Sequence, residues 1–270
     1  MAQLHITVVR HAETNANLNH ILQGHMDTKL NKSGMEQLEL ISRRLRKMKF
    51  DHIYSSDLYR AKRTAQAIAK NHPETPFTTD IRIRERDMGR LSGLTIYQAL
   101  DFIKEEGTSW DDYGEPEEDF KAQVVDFFDE IIEKHLPSSE EYRKQLLKNG
   151  LDEIRNPHIL IVTHGGTISK LVKEHLIMDL GFRVNDYLSM KHKAKNTGVT
   201  KFVVRRVDKP ATDDDDSSSN ATESDGNGSE KAPSTRQKIR LEGDITLWNC
   251  VSHLTSQGKR THGDSQIDDL

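Results

Sequence analysis

The sequence predicts an α/β fold, a three-layer sandwich in which a mostly parallel central sheet carries helices on both faces. Two apolar runs, residues 4–9 and 158–163, have the composition of strands buried on both faces. Each run stops at a histidine, His11 in the first case and His164 in the second. Strand-like and helix-like segments alternate along the chain, which favours successive β–α units and a parallel sheet.

The remaining elements follow from periodicity and from turn residues. Three- and four-residue spacing of apolar side chains predicts helices, which we place at 31–48, 58–69, 95–106, 117–135, 138–149 and 165–176. Ser56 or Asp57 is the expected N-cap of the second helix. Short β-prone runs predict further strands at 51–56, 77–79, 197–207 and 239–251. Residues 81–93 are charged and closed by glycines, which is typical of a loop.

The C-terminal third contains a segment of very different composition. Residues 208–237 include four consecutive aspartates and three consecutive serines, with almost no apolar side chain. Such a segment cannot offset its ordering entropy by burial, so we expect disorder there. The strands at 197–207 and 239–251 then form one hairpin split by this insertion. We therefore predict a single domain, 1–207 with 238–255, followed by a flexible tail, 256–270.

Composition excludes several classes of function. The chain has 270 residues, a net charge of -4 and a pI near 6.4, which argues against a general nucleic-acid-binding protein. A single cysteine, Cys250, allows no internal disulfide and favours a reducing compartment. The N-terminus has no basic region followed by an apolar stretch, so neither a signal peptide nor a membrane span is expected. These features predict a cytoplasmic protein; the oligomeric state stays open.

The first strand ends in the dipeptide Arg10-His11. A histidine at a strand's end can simply hydrogen-bond a neighbouring loop, and His11 alone is compatible with that reading. The adjacent Arg10 places a permanent planar cation beside the imidazole, which suits an imidazole that attacks an anionic phosphoryl group. Asn17 lies a turn further on and can donate to the same anion. Because ligands of parallel sheets bind beyond the carboxyl ends of strands, His11 and His164 are expected to face one crevice.

Four stretches together resemble the histidine phosphatase superfamily, the phosphoglycerate-mutase-like enzymes. The motifs, in chain order, are Arg10-His11-Ala12-Glu13-Thr14 with Asn17 and Gln23-Gly24, then Ser55-Ser56-Asp57-Leu58-Tyr59-Arg60, then Arg84-Glu85-Arg86 with Gly89, and finally Thr163-His164-Gly165-Gly166. Two positions depart from the pattern. Ala12 stands where glycine is usual, which argues against a close backbone approach or a positive φ angle there, and Met88 stands where an aromatic residue is expected.

The resemblance implies a phosphoglycerate-mutase-like fold and a role for each matched residue. His11 would be the nucleophile, Arg10, Arg60 and a protonated or hydrogen-bonding His164 would hold the phosphoryl group, and Glu85 would be the general acid. Substrate contacts are implied for Asn17, Gln23, Gly24 and Gly165. No metal and no cofactor are implied. Since Arg84 and Arg86 flank Glu85, the acid role requires their side chains to point elsewhere.

The fuller resemblance is to TIGAR-type fructose-2,6-bisphosphatases, and it covers most of the chain apart from the insertion and the tail. It implies a small phosphorylated metabolite as partner, fructose 2,6-bisphosphate or a similar ester, and a part in the control of glycolysis. Three alternatives remain: a broad-specificity phosphatase, a phosphoglycerate mutase, and a non-catalytic relative that binds a phospho-ligand. Lys191-His192-Lys193 is either a solvated basic loop or a contact for a second substrate phosphate.

Overall fold

A computed structural model describes residues 2–149, 155–184, 189–207 and 240–255 of the chain. Within these ranges seven strands form one sheet in the order β3-β2-β4-β1-β6-β7-β5. The strands are β1 Gln3–Arg10, β2 His52–Ser56, β3 Phe77–Asp80, β4 His158–Thr163, β5 Arg183–Val184, β6 Val199–Arg206 and β7 Leu241–Cys250. Four of the six pairings are parallel, and both antiparallel pairings involve β6. The predicted mostly parallel sheet is confirmed.

Helices connect the strands and cover both faces of the sheet. They are α1 Asn15–Leu18, α2 Lys32–Leu45, α3 Tyr59–Ala69, α4 Ile96–Glu106, α5 Glu117–His135, α6 Ser139–Asn149, α7 Gly165–Ile168 and α8 Ser252–Thr255. A π-helical segment, Ser169–Asp179, continues α7. Side-chain oxygens cap several N-termini: Asn31 accepts from the Gly34 amide at α2, and Thr95 forms a capping box with Gln98 at α4.

The alternation of side chains along the central strands creates two cores. In β4, Ile159 and Ile161 lie in the core formed with α5 and the π-helical segment, whereas Leu160 and Val162 lie in the core formed with α2 and α3. The apolar stripe of α5 is buried as its spacing predicts, at Phe120, Val124, Phe127, Phe128 and Ile131. Helix, sheet and helix are therefore the three layers of the predicted sandwich.

Some local predictions are wrong, and each has a physical reason. Helix α3 is capped by neither Ser56 nor Asp57: its N-cap is Leu58, and the Asp57 carboxylate pairs with Arg84 instead. Met35 lies on the apolar stripe assigned to α2 but is 48% exposed. The two-residue strand β5 was too short to leave a period-two pattern. The predicted insertion at 208–237 and tail at 256–270 lie outside the described residues.

Strand register places the two histidines together. In the parallel pair β1–β4, Arg10 is the partner of Thr163, so the next residues, His11 and His164, leave the sheet side by side. Their ring centroids are 5.2 Å apart. On the other side of β4, Ser55 of β2 pairs with Val162, which places the end of β2 at the same edge. Three strands therefore deliver polar side chains to one crevice, as predicted.

Candidate active site

The crevice at the carboxyl edge of the sheet contains a cavity of about 190 Å³. Seven of the residues to which the resemblance assigns a role line it, namely Arg10, His11, Asn17, Gln23, Gly24, Arg60 and Glu85, and Met88 and Lys193 line it as well. The seven come from the end of β1 and from the loops and helices that follow β1, β2 and β3, so the fold assembles positions up to 75 residues apart, from Arg10 to Glu85. His164 lies beside His11 without lining the cavity, and Gly165 lines a neighbouring cavity.

His11 is held in one orientation and one tautomer. The ring is only 2% exposed, and its Nδ1 lies 2.8 Å from the carbonyl oxygen of Ala12. Because a carbonyl oxygen can only accept, Nδ1 carries the proton and the lone pair of the neutral ring resides on Nε2. The Ala12 amide donates to Thr64 Oγ1 at 3.0 Å, and the Ala12 φ angle is not positive, so alanine fits where glycine is usual.

Both site histidines are kept neutral. Burial lowers the pKa of His11 well below its usual value, and the positive charges of Arg60 and Arg10 lower it further. The same burial, with Arg60 as the next cause, lowers the pKa of His164 well below its usual value. Of the two roles expected for His164, the protonated one is therefore disfavoured in the unliganded protein, and the hydrogen-bonding one is favoured.

Arg60 is a cation almost completely removed from solvent. It is 1% exposed, and its terminal nitrogens donate to the carbonyl oxygens of Met26 at 2.7 Å and Gly24 at 2.9 Å. Burial lowers the pKa of Arg60 to about 10, so the side chain stays charged at neutral pH. The Arg10 guanidinium is held by the Ala194 carbonyl at 2.5 Å. Both guanidinium groups are thus fixed by backbone carbonyls rather than by carboxylates.

Three buried nitrogens around the cavity have no hydrogen-bond partner among the described residues. They are Nε of Arg10, Nε of Arg60 and Nδ1 of His164. A buried polar group without a partner costs about 1–3 kcal/mol, more when charged, so a ligand that pairs with these groups gains a comparable free energy. Two of the groups are N–H donors of cations and the third is an imidazole nitrogen. Together they suit an oxyanion such as a phosphoryl group, which would accept from several donors at once.

Glu85 lines this cavity and the neighbouring one. Its carboxylate accepts from the Gly166 amide at 3.0 Å and from the Arg86 amide at 3.1 Å. Arg84 pairs with Asp57 at 2.5 Å, and Arg86 pairs with Asp111 and donates to the Glu115 carbonyl. The requirement that both flanking arginines point away from Glu85 is therefore met.

The loop after β1 supplies neutral donors. Oδ1 of Asn17 accepts from the Thr14 amide and from Asn196, and Oε1 of Gln23 accepts from the hydroxyls of Thr14 and Thr28. With the amide oxygens engaged in this way, the amide nitrogens of Asn17 and Gln23 remain to donate to a ligand.

Gly24 is required at its position in the same loop. Its φ is +46°, and a Cβ there would lie 2.7 Å from the Met88 amide nitrogen. The absence of a side chain lets this loop approach the Glu85 loop closely. His25 joins the two loops as well, since its Nε2 donates to the Glu85 carbonyl at 2.9 Å.

Three residues that support the site were not recognised from sequence. Ser56 Oγ lies 2.8 Å from His164 Nε2, and Asn196 Nδ2 donates to the His11 carbonyl at 2.9 Å. Asn249 on β7, with φ +47°, accepts from the Lys195 amide and donates to the Lys193 carbonyl, which fixes the loop that carries Asn196. Asn196 is followed by Thr197-Gly198, a turn signal that marked the loop but not its contact with His11.

In the described ranges, no group of three or more His, Cys, Asp or Glu side chains is placed to hold a metal ion. No helix in those ranges is both long and apolar enough to cross a membrane.

With this geometry in place, known proteins provide a comparison. Residues 6–139 match the family model described as histidine phosphatase superfamily (branch 1). Fructose-2,6-bisphosphatase TIGAR of Xenopus tropicalis is 29% identical over 76% of this chain and 87% of its own length. Phosphoglycerate mutase-like protein 4 of Arabidopsis thaliana is 35% identical over 62% of this chain and 68% of its own. A broad-specificity phosphatase of Saccharomyces cerevisiae is 28% identical over 76% of this chain and 85% of its own.

Solved structures agree on the fold. A mycobacterial glucosyl-3-phosphoglycerate phosphatase superposes with a TM-score of 0.57 at 24% identity, covering 74% of this chain and 90% of that one. A phosphoglycerate mutase from Bacillus anthracis superposes with a TM-score of 0.55 at 24% identity, covering 75% and 88%. At this identity the likeness concerns the α/β architecture, and the predicted phosphoglycerate-mutase-like fold is confirmed.

Proposed function

This chain belongs to the histidine phosphatase superfamily, and we propose that it is a phosphatase that hydrolyses small phosphomonoesters through a phosphohistidine on His11. The observation that carries the proposal is the buried, neutral His11 ring, locked with Nδ1 on the Ala12 carbonyl, beside three unpartnered nitrogens. The Nε2 lone pair is a nucleophile at neutral pH, because the depressed pKa of His11 keeps the ring unprotonated.

In the first step Nε2 of His11 attacks phosphorus and the bond from phosphorus to the ester oxygen breaks. Arg10, Arg60 and His164 would stabilise the charge on the equatorial oxygens, and such preorganised donors are usually the largest contribution to catalysis. The two guanidinium groups are anchored on carbonyl oxygens and the His164 ring on Ser56 Oγ, so little reorganisation is needed when the charge develops. Glu85, in its acid form, gives its proton to the departing alcohol oxygen.

In the second step water attacks the phosphohistidine. Glu85, now a carboxylate, removes a proton from that water as the phosphorus–nitrogen bond breaks, and phosphate leaves with the His11 ring restored. The two amide bonds to Gly166 and Arg86 would hold the Glu85 carboxylate in place through both steps. The Glu85 carboxyl group can therefore serve both steps without the movement of any other group.

For the substrate we propose fructose 2,6-bisphosphate, released at its 2-phosphate, and hence a role in controlling glycolysis. The support is the similarity to fructose-2,6-bisphosphatase TIGAR over 241 residues, which extends past the 139th residue into the C-terminal part of the chain. The single cysteine and the absence of a membrane-spanning helix in the described ranges are consistent with action in the cytoplasm.

The decisive experiment measures phosphate release by the purified full chain, without added metal, across a panel of esters. The panel is fructose 2,6-bisphosphate, fructose 1,6-bisphosphate, 2,3-bisphosphoglycerate, phosphoglycolate and p-nitrophenyl phosphate. A clear preference for the first is expected, and His11→Ala should abolish release from all five. Full activity in His11→Ala would refute the nucleophile assignment.

The same panel separates the alternatives. A flat profile would make the protein a broad-specificity phosphatase, as the yeast relative is described. A separate assay of the interconversion of 3- and 2-phosphoglycerate detects a mutase, which would convert them without net release of phosphate. Neither release from any ester nor interconversion would leave a phospho-ligand-binding protein. Rapid acid-free quenching with ³²P-labelled substrate should trap label on the wild-type protein and none on His11→Ala.

A further inference from the structure

Arg10 is held at three points by one loop, residues 193–198, which precedes β6. Its guanidinium donates to the Ala194 carbonyl at 2.5 Å. Its backbone is held as well, because the Arg10 amide donates to the Gly198 carbonyl at 3.3 Å and the Arg10 carbonyl accepts from the Thr197 amide at 3.0 Å. The position of this arginine beside the cavity therefore depends on the shape of the 193–198 loop.

Asn249, near the C-terminal end of β7, fastens the first half of this loop. Its Oδ1 accepts from the Lys195 amide at 2.7 Å, and its Nδ2 donates to the Lys193 carbonyl at 2.9 Å. These two bonds lie on either side of Ala194, whose carbonyl accepts from the Arg10 guanidinium. The Asn249 side chain therefore fixes the backbone on both sides of the residue that holds Arg10.

His253, four residues later in α8, fastens the second half of the loop. Arg44 of α2 donates to its Nδ1 at 2.8 Å. Because a guanidinium can only donate, Nδ1 carries the lone pair of the neutral ring, and Nε2 carries the proton and donates to Thr197 Oγ1 at 3.0 Å. Burial and, after it, the charge of Arg44 lower the pKa of His253 to about 4, so the ring stays neutral. Arg44 also donates to the Cys250 carbonyl at 2.7 Å, which ties the end of β7 to α2.

We propose that Asn249 and His253 are positioning residues of the active site, which hold the 193–198 loop so that the Arg10 guanidinium faces the cavity at His11. The proposal rests on the function proposed above. Neither residue lines that cavity, so an effect on the reaction has to pass through the loop. The ladder between β6 and β7 already holds β7 in the sheet, so the bonds from these two side chains to the loop are not needed for the docking of the strand.

Asn249→Gly removes both side-chain bonds to the loop and leaves a residue that readily adopts the φ of +47° found there. We expect kcat/KM to fall about tenfold, less than the ~10²-fold cost of misplacing a catalytic group by about 1 Å, because the loop keeps its other contacts. The fall should be equal for fructose 2,6-bisphosphate and p-nitrophenyl phosphate, since Arg10 would bind the phosphoryl group that the two esters share.

Thr246→Gly is the matched control, because it removes an exposed side chain from the same strand, and it should keep kcat/KM. Melting curves of all variants establish that the comparison is made between folded proteins. Wild-type kcat/KM in Asn249→Gly, or a loss confined to the sugar phosphate, would overturn the proposal.

A double-mutant cycle tests whether the effect passes through Arg10. In the Arg10→Ala background, Asn249→Gly should cost less than about threefold in kcat/KM for p-nitrophenyl phosphate, because the guanidinium that Asn249 positions is gone. A full additional loss in that background would show that Asn249 acts on another group, and the proposal would be wrong.

Variants of His253 keep the proposal testable if Asn249→Gly does not fold. Glutamine can still donate to Thr197 Oγ1 and accept from Arg44, so His253→Gln should keep most of kcat/KM. His253→Ala should lower kcat/KM about fivefold, the size expected for one neutral hydrogen bond. Equal values of kcat/KM for the two variants would contradict the role of His253.

Binding of inorganic phosphate separates this proposal from the proposed hydrolysis, because it requires no turnover. Isothermal titration calorimetry should give a Kd about tenfold larger for Asn249→Gly than for wild type. Such a difference, together with no release of phosphate from any ester by wild type, would support the positioning role and refute the phosphatase. Hydrolysis by wild type, with equal Kd and equal kcat/KM in the two proteins, would refute the positioning role and leave the phosphatase standing.

Discussion

Gly166→Ala tests the position of Glu85 without altering its carboxyl group. A Cβ at residue 166 would lie 3.1 Å from Cδ of Glu85 and closer still to Oε1. Because unbonded carbon atoms are best separated by about 3.5–4.0 Å, the carboxylate must withdraw by roughly 0.5–1 Å. The hydrogen bond from the Gly166 amide, 3.0 Å long, is lost or lengthened by that movement. The proposed acid is then present but displaced.

A displacement of this size has a predictable cost. Misplacing a catalytic group by about 1 Å costs on the order of 10²-fold in rate. We expect kcat/KM for a sugar phosphate to fall by about that factor and kcat/KM for p-nitrophenyl phosphate to fall much less, because kcat/KM reports the first step, in which nitrophenolate leaves without protonation. Steady-state kinetics on the two esters, with phosphate release as the common readout, measure both numbers on one preparation.

Two further variants make the result interpretable. Gly165→Ala places its Cβ 3.4 Å from Arg10 Nε, an ordinary contact, and should lose less than Gly166→Ala on the sugar phosphate. Glu85→Gln removes the acid, so adding Gly166→Ala to it should cost little more. Equal losses on the two esters, or a full additional loss in the Glu85→Gln background, would show that Gly166 does not act through Glu85.

Three other predictions follow from the buried charges and from composition. Arg60→Ala should lower kcat/KM by at least about 10²-fold, because it removes a preorganised cation. Unchanged kcat/KM in this variant would exclude Arg60 from the phosphate site. Burial holds the pKa of His135, His158 and His253 at about 4 in the folded protein, against about 6.5 when unfolded. Below pH 6.5 the unfolded chain therefore binds more protons than the folded protein, so the stability present above that pH is lost as the pH falls towards 4. Tm at pH 5 should lie below Tm at pH 7.5. An equal Tm at the two pH values would contradict this. Deleting residues 210–235 should leave Tm and turnover nearly unchanged, and a large drop in Tm would show that the insertion packs on the domain.

The parts of the fold and site that follow from local pattern were predictable. Two buried strands ending in His11 and His164 carry their own signal, because apolar runs that stop abruptly mark strand tips. Glu85 and Arg60 could be proposed as site residues only because their motifs follow one another in the order that the histidine phosphatase superfamily shows. An arginine at the start of a capped helix, or a glutamate in a charged loop, has no distinctive chemistry until its neighbours in space are known.

Contacts between distant elements could not be predicted from the sequence. Ser56 meets His164 across 108 residues, and Asn196 reaches the His11 carbonyl across 185. Asn249 has a positive φ, which asparagine adopts more readily than most residues. The sequence alone does not show which loop the side chain of such a residue will hydrogen-bond. Met35 fits the apolar spacing of α2, yet about half of it is exposed. Spacing defines which face of a helix is apolar, but the elements packed against that face decide how much of it is covered.

The position of β1 has a consequence for biosynthesis. The first strand of the chain lies between β4 and β6, which begin at residues 158 and 199. Until the segment that contains β4 has been synthesised, the backbone N–H and C=O groups along both edges of β1 have neither of their final partners. Long-range pairing of this kind is slow and leaves strand edges exposed in the nascent chain. His11, the proposed nucleophile, is therefore synthesised well before the two strands that flank β1, and its surroundings are complete only after β6 has emerged and paired.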